Sequence, residues 1–437
     1  MKLMKHGIMS LLLTMIIFCF CGCTKDTEYS ENFDLKTDYQ KSYDCNIATW
    51  RSIQCDEDGQ YIYNKDYIFY YNYKTETLSP LCNKANCLHN KETDFERRKD
   101  CNAFISTYPY NFGDVVNYSE TIQYYDEHIY FARGNCLYRM SKDGSNRDTI
   151  LELDNKIPIE YWMIHRDYFY YETAPYYADG EKTYTDCVIK SIKLSNNMKE
   201  KNAKVLLNIE EGNYTCNAFG GFNAHLNYII FSYNANPKDF EFTTTEDWLR
   251  KCKTFYYLYN TKTEEITEIK MPDGYNDVTG IGGTYLLQDK ILIKLYDDMQ
   301  DEKYPMPIYS INYDMTDEKI WIDDIPQGYT ILIYNDYIIC NDVDMAYFNK
   351  RKSCNYFIYD KNANLVSKYT CPTYGEIEHN GFGPDGMQIL LEKKENMCNL
   401  YEMNFDDVLN SNGECIEPKS IGSISYAKVS EYSGPVE

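Results

Sequence analysis

Aromatic and β-branched residues recur along this chain in runs of roughly four to eight, broken by Asn, Asp, Gly and Lys-Thr clusters. Runs and breaks of this kind predict strands joined by turns. The clearest unit is a hairpin, and its second run appears seven times: Ile68–Leu78, Leu137–Gly144, Val188–Ile192, Tyr256–Ile266, Ile308–Tyr313, Tyr356–Asn362 and Leu400–Asn404. A partner run precedes each one, at Tyr61–Tyr63, His128–Phe131, Tyr168–Tyr171, Tyr228–Phe231, Ile291–Ile293, Tyr337–Ile339 and Gln388–Leu391. Seven hairpins across residues 45–437, about 56 residues apart, suit four-stranded propeller blades with generous loops. The predicted fold is all-β: a single β-propeller of seven blades, with six or eight as the alternatives. Residues 421–429 read as a late strand that pairs into the first blade and closes the ring. Glu246–Lys253 is the best candidate for a short amphipathic helix.

The start of the chain has a different pattern. Lys2 and Lys5 precede a 13-residue apolar run, Ile8–Phe20, and then Cys21-Gly22-Cys23 and polar Thr24-Lys25-Asp26. That run has the length of a signal-peptide core and is short for a bilayer span. Gly22 before Cys23 resembles the bacterial lipobox, although Phe20 and Cys21 depart from it. The resemblance implies cleavage ahead of Cys23 and a diacylglycerol on its thiol. An ordinary signal peptide or an uncleaved anchor is the alternative. The domain reading is therefore a lipoprotein signal peptide at 1–22, a flexible polar tether at 23–44 and the propeller at 45–437, with a Cys-rich insertion at about 79–104. The predicted address is the extracytoplasmic face of the cell membrane, held by lipid alone.

Charge narrows the partners. The 437 residues carry 67 acidic and 44 basic side chains, a formal charge of −23. That field repels phosphate backbones, which excludes nucleic acid as a partner, and it disfavours adhesion to an anionic membrane by charge. The 46 Tyr suit sheets with one wet face and could stack on sugar rings or peptide side chains.

The stretch Leu137-Tyr138-Arg139-Met140-Ser141-Lys142-Asp143-Gly144-Ser145-Asn146 resembles the TolB-type propeller repeat. Pro80-Leu81-Cys82-Asn83-Lys84-Ala85-Asn86-Cys87-Leu88-His89, with Cys101-Asn102-Ala103, resembles a segment of uncharacterised lipoproteins of Gram-positive bacteria. These resemblances imply the propeller fold and the cell surface, and no particular activity.

Catalytic signatures are scarce. The sequence has no Gly-x-Ser-x-Gly elbow, no His-Glu-x-x-His and no phosphate loop. Thr279-Gly280-Ile281-Gly282-Gly283-Thr284 reads as a blade-to-blade turn, while Asp56-Glu57-Asp58-Gly59 and Asp342-Val343-Asp344 read as solvated turns short of a Ca²⁺ ligand set. His128, His165 and His225 lie at predicted strand ends and read as packed or solvated. Cys136, Cys187, Cys252, Cys354 and Cys398 open the same strand in different blades, too far apart to pair, and read as buried small hydrophobes. Cys340 and Cys354 are the disulfide candidates, one ending a strand and the other opening the next.

Cys82, Cys87, His89 and Cys101 are expected to meet on the outer edge of the first blade. Three thiols and an imidazole match a tetrahedral zinc set. A disulfide between two of the three, with the third free or paired with Cys45 or Cys55, is the simpler expectation for an exported protein; otherwise no cofactor is expected. The functional expectation is a binding or scaffold module for an extracellular glycan, peptide or protein, without catalysis. The alternative is a propeller-fold lyase or glycosidase, whose mark would be paired carboxylates or a Tyr/His/Arg set in a pocket at the channel mouth.

Overall fold

A computed structural model describes residues 29–40, 52–105, 121–153, 159, 161–173, 176–178, 181–183, 188–208, 214–238, 251–275, 279–297, 299–343, 346, 349–372, 377–411 and 413–427. Its strands form seven four-stranded antiparallel sheets, each built from four consecutive strands, plus one small hairpin. The blades span Ile53–Pro80, Ile122–Glu152, Trp162–Asn208, Tyr214–Ile269, Thr279–Pro326, Thr330–Pro372 and Ile377–Ser425, and are numbered 1 to 7 in that order. The hairpin, Tyr176–Ala178 with Glu181–Thr183, is inserted between the second and third strands of blade 3. First strands of neighbouring blades touch, which puts them innermost. The chain is a seven-bladed β-propeller, as the hairpin spacing predicts, and the predicted hairpins are the second and third strands of each blade.

Tight turns hold consecutive strands of a blade in register. Lys65-Asp66, Asp126-Glu127 and Arg166-Asp167 each form a two-residue connection with positive φ at both positions. That backbone matches the right-handed twist of paired strands, here without glycine. Between blades the sheets pack face to face on six apolar clusters, one of which serves both interfaces of blade 1. Trp162, Leu137 and Phe169 join blades 2 and 3, whereas Ile230, Leu286 and Ile293 join blades 4 and 5. The cluster around Tyr61, Ile62 and Phe69 takes in Ile122 from blade 2 and Ile389, Leu400 and Ile424 from blade 7, so it closes the ring.

Closure differs from the sequence expectation. The last strand, Lys419–Ser425, pairs with Met397–Asn404 as the outer strand of blade 7 and not into blade 1. Among the described residues, no blade borrows a strand from the other end of the chain.

Inner strands of adjacent blades diverge, and buried glutamines bridge them. Gln40 exchanges two hydrogen bonds with the Cys55 backbone, its Nε2 donating to the carbonyl at 2.7 Å and its Oε1 accepting from the N–H at 2.9 Å. Gln54 Oε1 accepts from Tyr124 N–H, and Gln123 Oε1 accepts from Ile164 N–H. Gln54 and Gln123 thus substitute for a strand partner across a blade interface, and Gln40 does so for Cys55 from outside the blades.

The tether expected at 23–44 needs correction for its later residues. Asp38, Tyr39 and Gln40 are buried. Lys36 C=O accepts from Asp126 N–H, Thr37 C=O accepts from Arg166 N–H, and Tyr39 N–H donates to His165 Nδ1. Residues 34–40 therefore form a strap across the first turns of blades 2 and 3, with Gln40 reaching blade 1. The charged composition that suggested solvation hides a buried ion pair, Asp38 with Arg166.

The Cys340–Cys354 disulfide is absent, for a reason of register. Cys340 sits opposite Phe357, three positions from Cys354, so the two thiols leave opposite faces of blade 6. Cys340 packs toward blade 5 and Cys354 toward blade 7. Cys82, Cys87, Cys101, Cys136, Cys340, Cys354, Cys371 and Cys415 are free thiols. Cys354 and Cys398 are buried as expected, whereas Cys136 and Cys252 are only half-buried; Cys187 lies outside the described residues.

Candidate functional site

The insertion after the outer strand of blade 1 brings four of the predicted residues together. Cys82 lies two residues beyond the strand Thr77–Pro80. Residues 103–105 return beside the third strand, through Ala103 C=O to Ile68 N–H and Asp66 C=O to Ile105 N–H. Between them lie a 3₁₀ turn, His89–Lys91, and a one-turn helix, Phe95–Arg98, capped by Asp94. One ligand atom from each of Cys82, Cys87, His89 and Cys101 lies within 4.8 Å of the other three, and this group can hold a metal ion. His89 Nδ1 is 3.4 Å from Cys101 Sγ. A tetrahedral site with ordinary zinc–sulfur and zinc–nitrogen lengths has edges of about 3.4–3.8 Å. The disulfide expected here is not formed.

Surrounding dipoles favour thiolates at part of this group. Burial raises the Cys82 thiol, but N–H groups of Lys84 and Asn102, with the Cys101 and Cys87 thiols, outweigh it and leave its pKa below the ordinary value. Burial drives Cys101 well upward, reinforced by Cys82. Burial also lowers His89, which keeps the imidazole neutral and able to donate a lone pair. Backbone N–H groups aimed at sulfur are the usual outer support of a thiolate ligand.

A second feature lies between the inner strands of blades 4 and 5 and reaches blade 6: a cavity of about 190 Å³. Two glycine pairs open it, Gly220-Gly221 in Tyr214–His225 and Gly282-Gly283 in Thr279–Leu286, each at a β-bulge. A Cβ on Gly220 would come within 2.1 Å of Ser232 Oγ, so a side chain fits there only if that hydroxyl moves. The glycine stretch read as a blade-to-blade turn is thus an innermost strand, with glycine where the bulge and the cavity need it.

Aromatic and amide or hydroxyl groups line this cavity, among them Phe222, Tyr256, Tyr285, Asn223, Ser232 and Thr284. No carboxylate, imidazole, thiol or cation is among the described lining residues. Thr254 Oγ donates to Asn234 Oδ1 at 2.6 Å, and Tyr256 OH to Ile281 C=O at 3.0 Å. Asn223 Oδ1 is a buried acceptor without a donor among the described residues.

The remaining candidates have structural roles. Asp56 is buried and accepts from Tyr61 OH, Tyr70 OH and the N–H groups of Asp58 and Gly59, and so caps the first turn of blade 1. Asp342 is buried against Arg351 at 2.8 Å and Asn355, not solvated. His165 is buried between Tyr39 N–H and Leu226 C=O. Cys23, Cys45 and Asp344 lie outside the described residues, as does most of Glu246–Lys253. Sequence reasoning missed Gln40, Gln54 and Gln123, because single glutamines carry no period. It also missed Asn223, whose signal was the adjacent Gly220-Gly221-Phe222.

No protein-family model matches the chain, and no curated protein sequence matches it. Solved structures show distant likeness. One of two prolyl endopeptidases studied for inter-domain dynamics aligns over 91% of this chain and 51% of its own, at 9% identity and a TM-score of 0.47. The chain therefore spans about half the length of that enzyme. The Dos1 propeller aligns over 90% of this chain and 88% of its own, at 10% identity and 0.41. An oligogalacturonate lyase in complex with manganese aligns over 64% and 72%, at 11% and 0.39. At such values the likeness carries no argument about chemistry, and the strand order itself establishes the fold.

Proposed function

We propose that this protein is a lipid-anchored, extracytoplasmic binding module whose propeller takes up an uncharged, hydrogen-bonding group between blades 4 and 5. One observation carries the reading: the cavity offers aromatic faces, amides and hydroxyls but no acid–base pair. General acid–base chemistry needs a side chain that titrates near the working pH within reach of the reacting proton, and burial raises the Tyr256 phenol away from that range. Stacking and amide hydrogen bonding need only what is present. The volume is below the roughly 300–1,000 Å³ of drug-sized sites, so one sugar ring or one peptide side chain is the natural occupant. The resemblance of residues 137–146 to TolB-type repeats is compatible with such a module.

Array screening of the full chain against neutral and anionic oligosaccharides and short peptides tests this. Binding of a neutral member, lost in Asn223→Leu and retained in the surface variant Lys262→Ala, is the expected result. Binding of polygalacturonate or another polyanion, unaffected by Asn223→Leu, would overturn it.

Cys23 is proposed as the mature first residue and the lipid carrier, on the strength of the apolar run that ends in Gly22. The Cys82, Cys87, His89 and Cys101 group is proposed to bind zinc(II). Its ligand set is soft and closed, with four protein donors and no open position, which suits a structural ion.

A further inference from the structure

Blade 7 meets blade 1 without sharing a strand, and the insertion that bears the thiols reaches across that seam. Asn90 follows His89 directly. Its Nδ2 donates to Ser425 C=O at 2.8 Å, and its own carbonyl accepts from Ala427 N–H at 3.0 Å. Lys91 Nζ also donates to Ser425 C=O, and Arg98 Nη2 to Ala427 C=O. Tyr426 between them donates to Asn64 and packs its ring on Tyr67 and Phe69.

The end of the last strand is therefore gripped by residues from a loop with little apolar material of its own. The loop backbone is left-handed at two points, with φ of +51° at His89 and +62° at Asn86. Tyr67 OH donates to His89 C=O at 3.1 Å and holds one side of that residue. A metal ion on His89 Nδ1 would hold the other.

We infer that the Cys82, Cys87, His89 and Cys101 group is a metal-dependent latch that closes the propeller ring by holding Asn90 and Arg98 against residues 425–427. The inference rests on the zinc reading above and extends it from occupancy to purpose. In a ring whose blades are each built from consecutive strands, the seam is where fraying begins. Hydrogen bonds across it take the place of a shared strand. Loading the ion fixes the loop, and the fixed loop holds the last strand.

Hydrogen exchange with mass spectrometry on the full chain, beside elemental analysis, provides the test. The zinc-loaded protein should carry one equivalent of metal. Chelation should speed exchange in the peptide covering residues 419–427 by about tenfold while leaving residues 279–297 unchanged. Cys87→Ser should do the same without chelator. Asn90→Ala serves as the second variant because it removes the grip and not a ligand: it should keep its metal and still exchange faster at 419–427. One bound equivalent with unchanged exchange after chelation would overturn the latch and leave the zinc reading standing. No bound metal after purification with zinc, by contrast, would remove the zinc reading and the latch with it.

Discussion

Arg166 Nε donates to Asp38 Oδ1 at 2.6 Å, and both side chains are almost wholly buried, at 3% and 2% exposure. A second guanidinium nitrogen donates to Asn227 Oδ1 in the first turn of blade 4. The pair fastens residues 34–40 to the ring. Asp38→Ala leaves the guanidinium buried without that counter-charge, a change that costs about 3–5 kcal/mol. Denaturant melts of the variant and of wild type check this, and a loss below about 1 kcal/mol would show that the strap contributes little.

The neighbouring His165 predicts a dependence on pH. Its burial, against the opposing attraction of Asp38, lowers its pKa to about 4 from an ordinary value near 6.5. The unfolded chain therefore binds a proton that the folded chain refuses. The stability from this site is fully present above pH ~6.5, falls as pH drops from there toward about 4, and is then lost, on the order of 3 kcal/mol in all. Melting curves of wild type and His165→Gln across pH 4–7 should differ in slope by one proton, and parallel curves would refute the assignment.

Cysteine reactivity should sort by burial. Cys340 is enclosed between blades 5 and 6, and burial pushes its pKa up to about 12. At pH 8 its thiolate fraction is then about 1 in 10,000. Native alkylation should label exposed Cys415 within minutes and leave Cys340, Cys354 and Cys398 untouched until the chain unfolds. Oxidant should give no Cys340–Cys354 cross-link in peptide maps.

Gly220→Ala should be poorly tolerated. Its Cβ would meet Ser232 Oγ on the paired strand. Relief requires a shift of strand or side chain, at about 1–3 kcal/mol. The double variant Gly220→Ala/Ser232→Gly should recover most of the loss in the same melt, and a lack of recovery would place the strain elsewhere.

Fragment 223–437 should not fold by itself. It severs the first strand of blade 4, and it exposes the faces that blades 4 and 7 bury against blades 3 and 1. Repeat units depend on neighbours for their cores. Cooperative melting of this fragment as a soluble monomer would contradict the closed ring.

The seven hairpins were legible because second and third strands are packed on both faces. Tyr67–Asn72 and Tyr168–Thr173, for example, open with unbroken aromatic and β-branched runs of five and four residues. Inner strands were harder to read. Tyr214–His225 and Thr279–Leu286 mix glycine, asparagine and threonine because they border a cavity and bulge, so their composition resembles that of turns. Outer strands such as Lys319–Pro326 are solvated and carry charge. The thiol–imidazole group was readable from spacing because the whole set lies in one short insertion. The cavity draws on residues from three blades, and no single stretch of sequence contains it.

The strap at residues 34–40 has a mechanical consequence. Tension arriving from the residues before Asp34 enters the ring through Asp38, Tyr39 and Gln40, whose partners sit on blades 1 and 3. Three successive residues are bonded to two blades, so the load is divided among them. Tension applied to the end of a single edge strand would break its bonds one after another, as a zipper opens. The propeller is thus gripped at its N-terminal side over several blades, and pulling there loads the ring as a whole before any one sheet can peel.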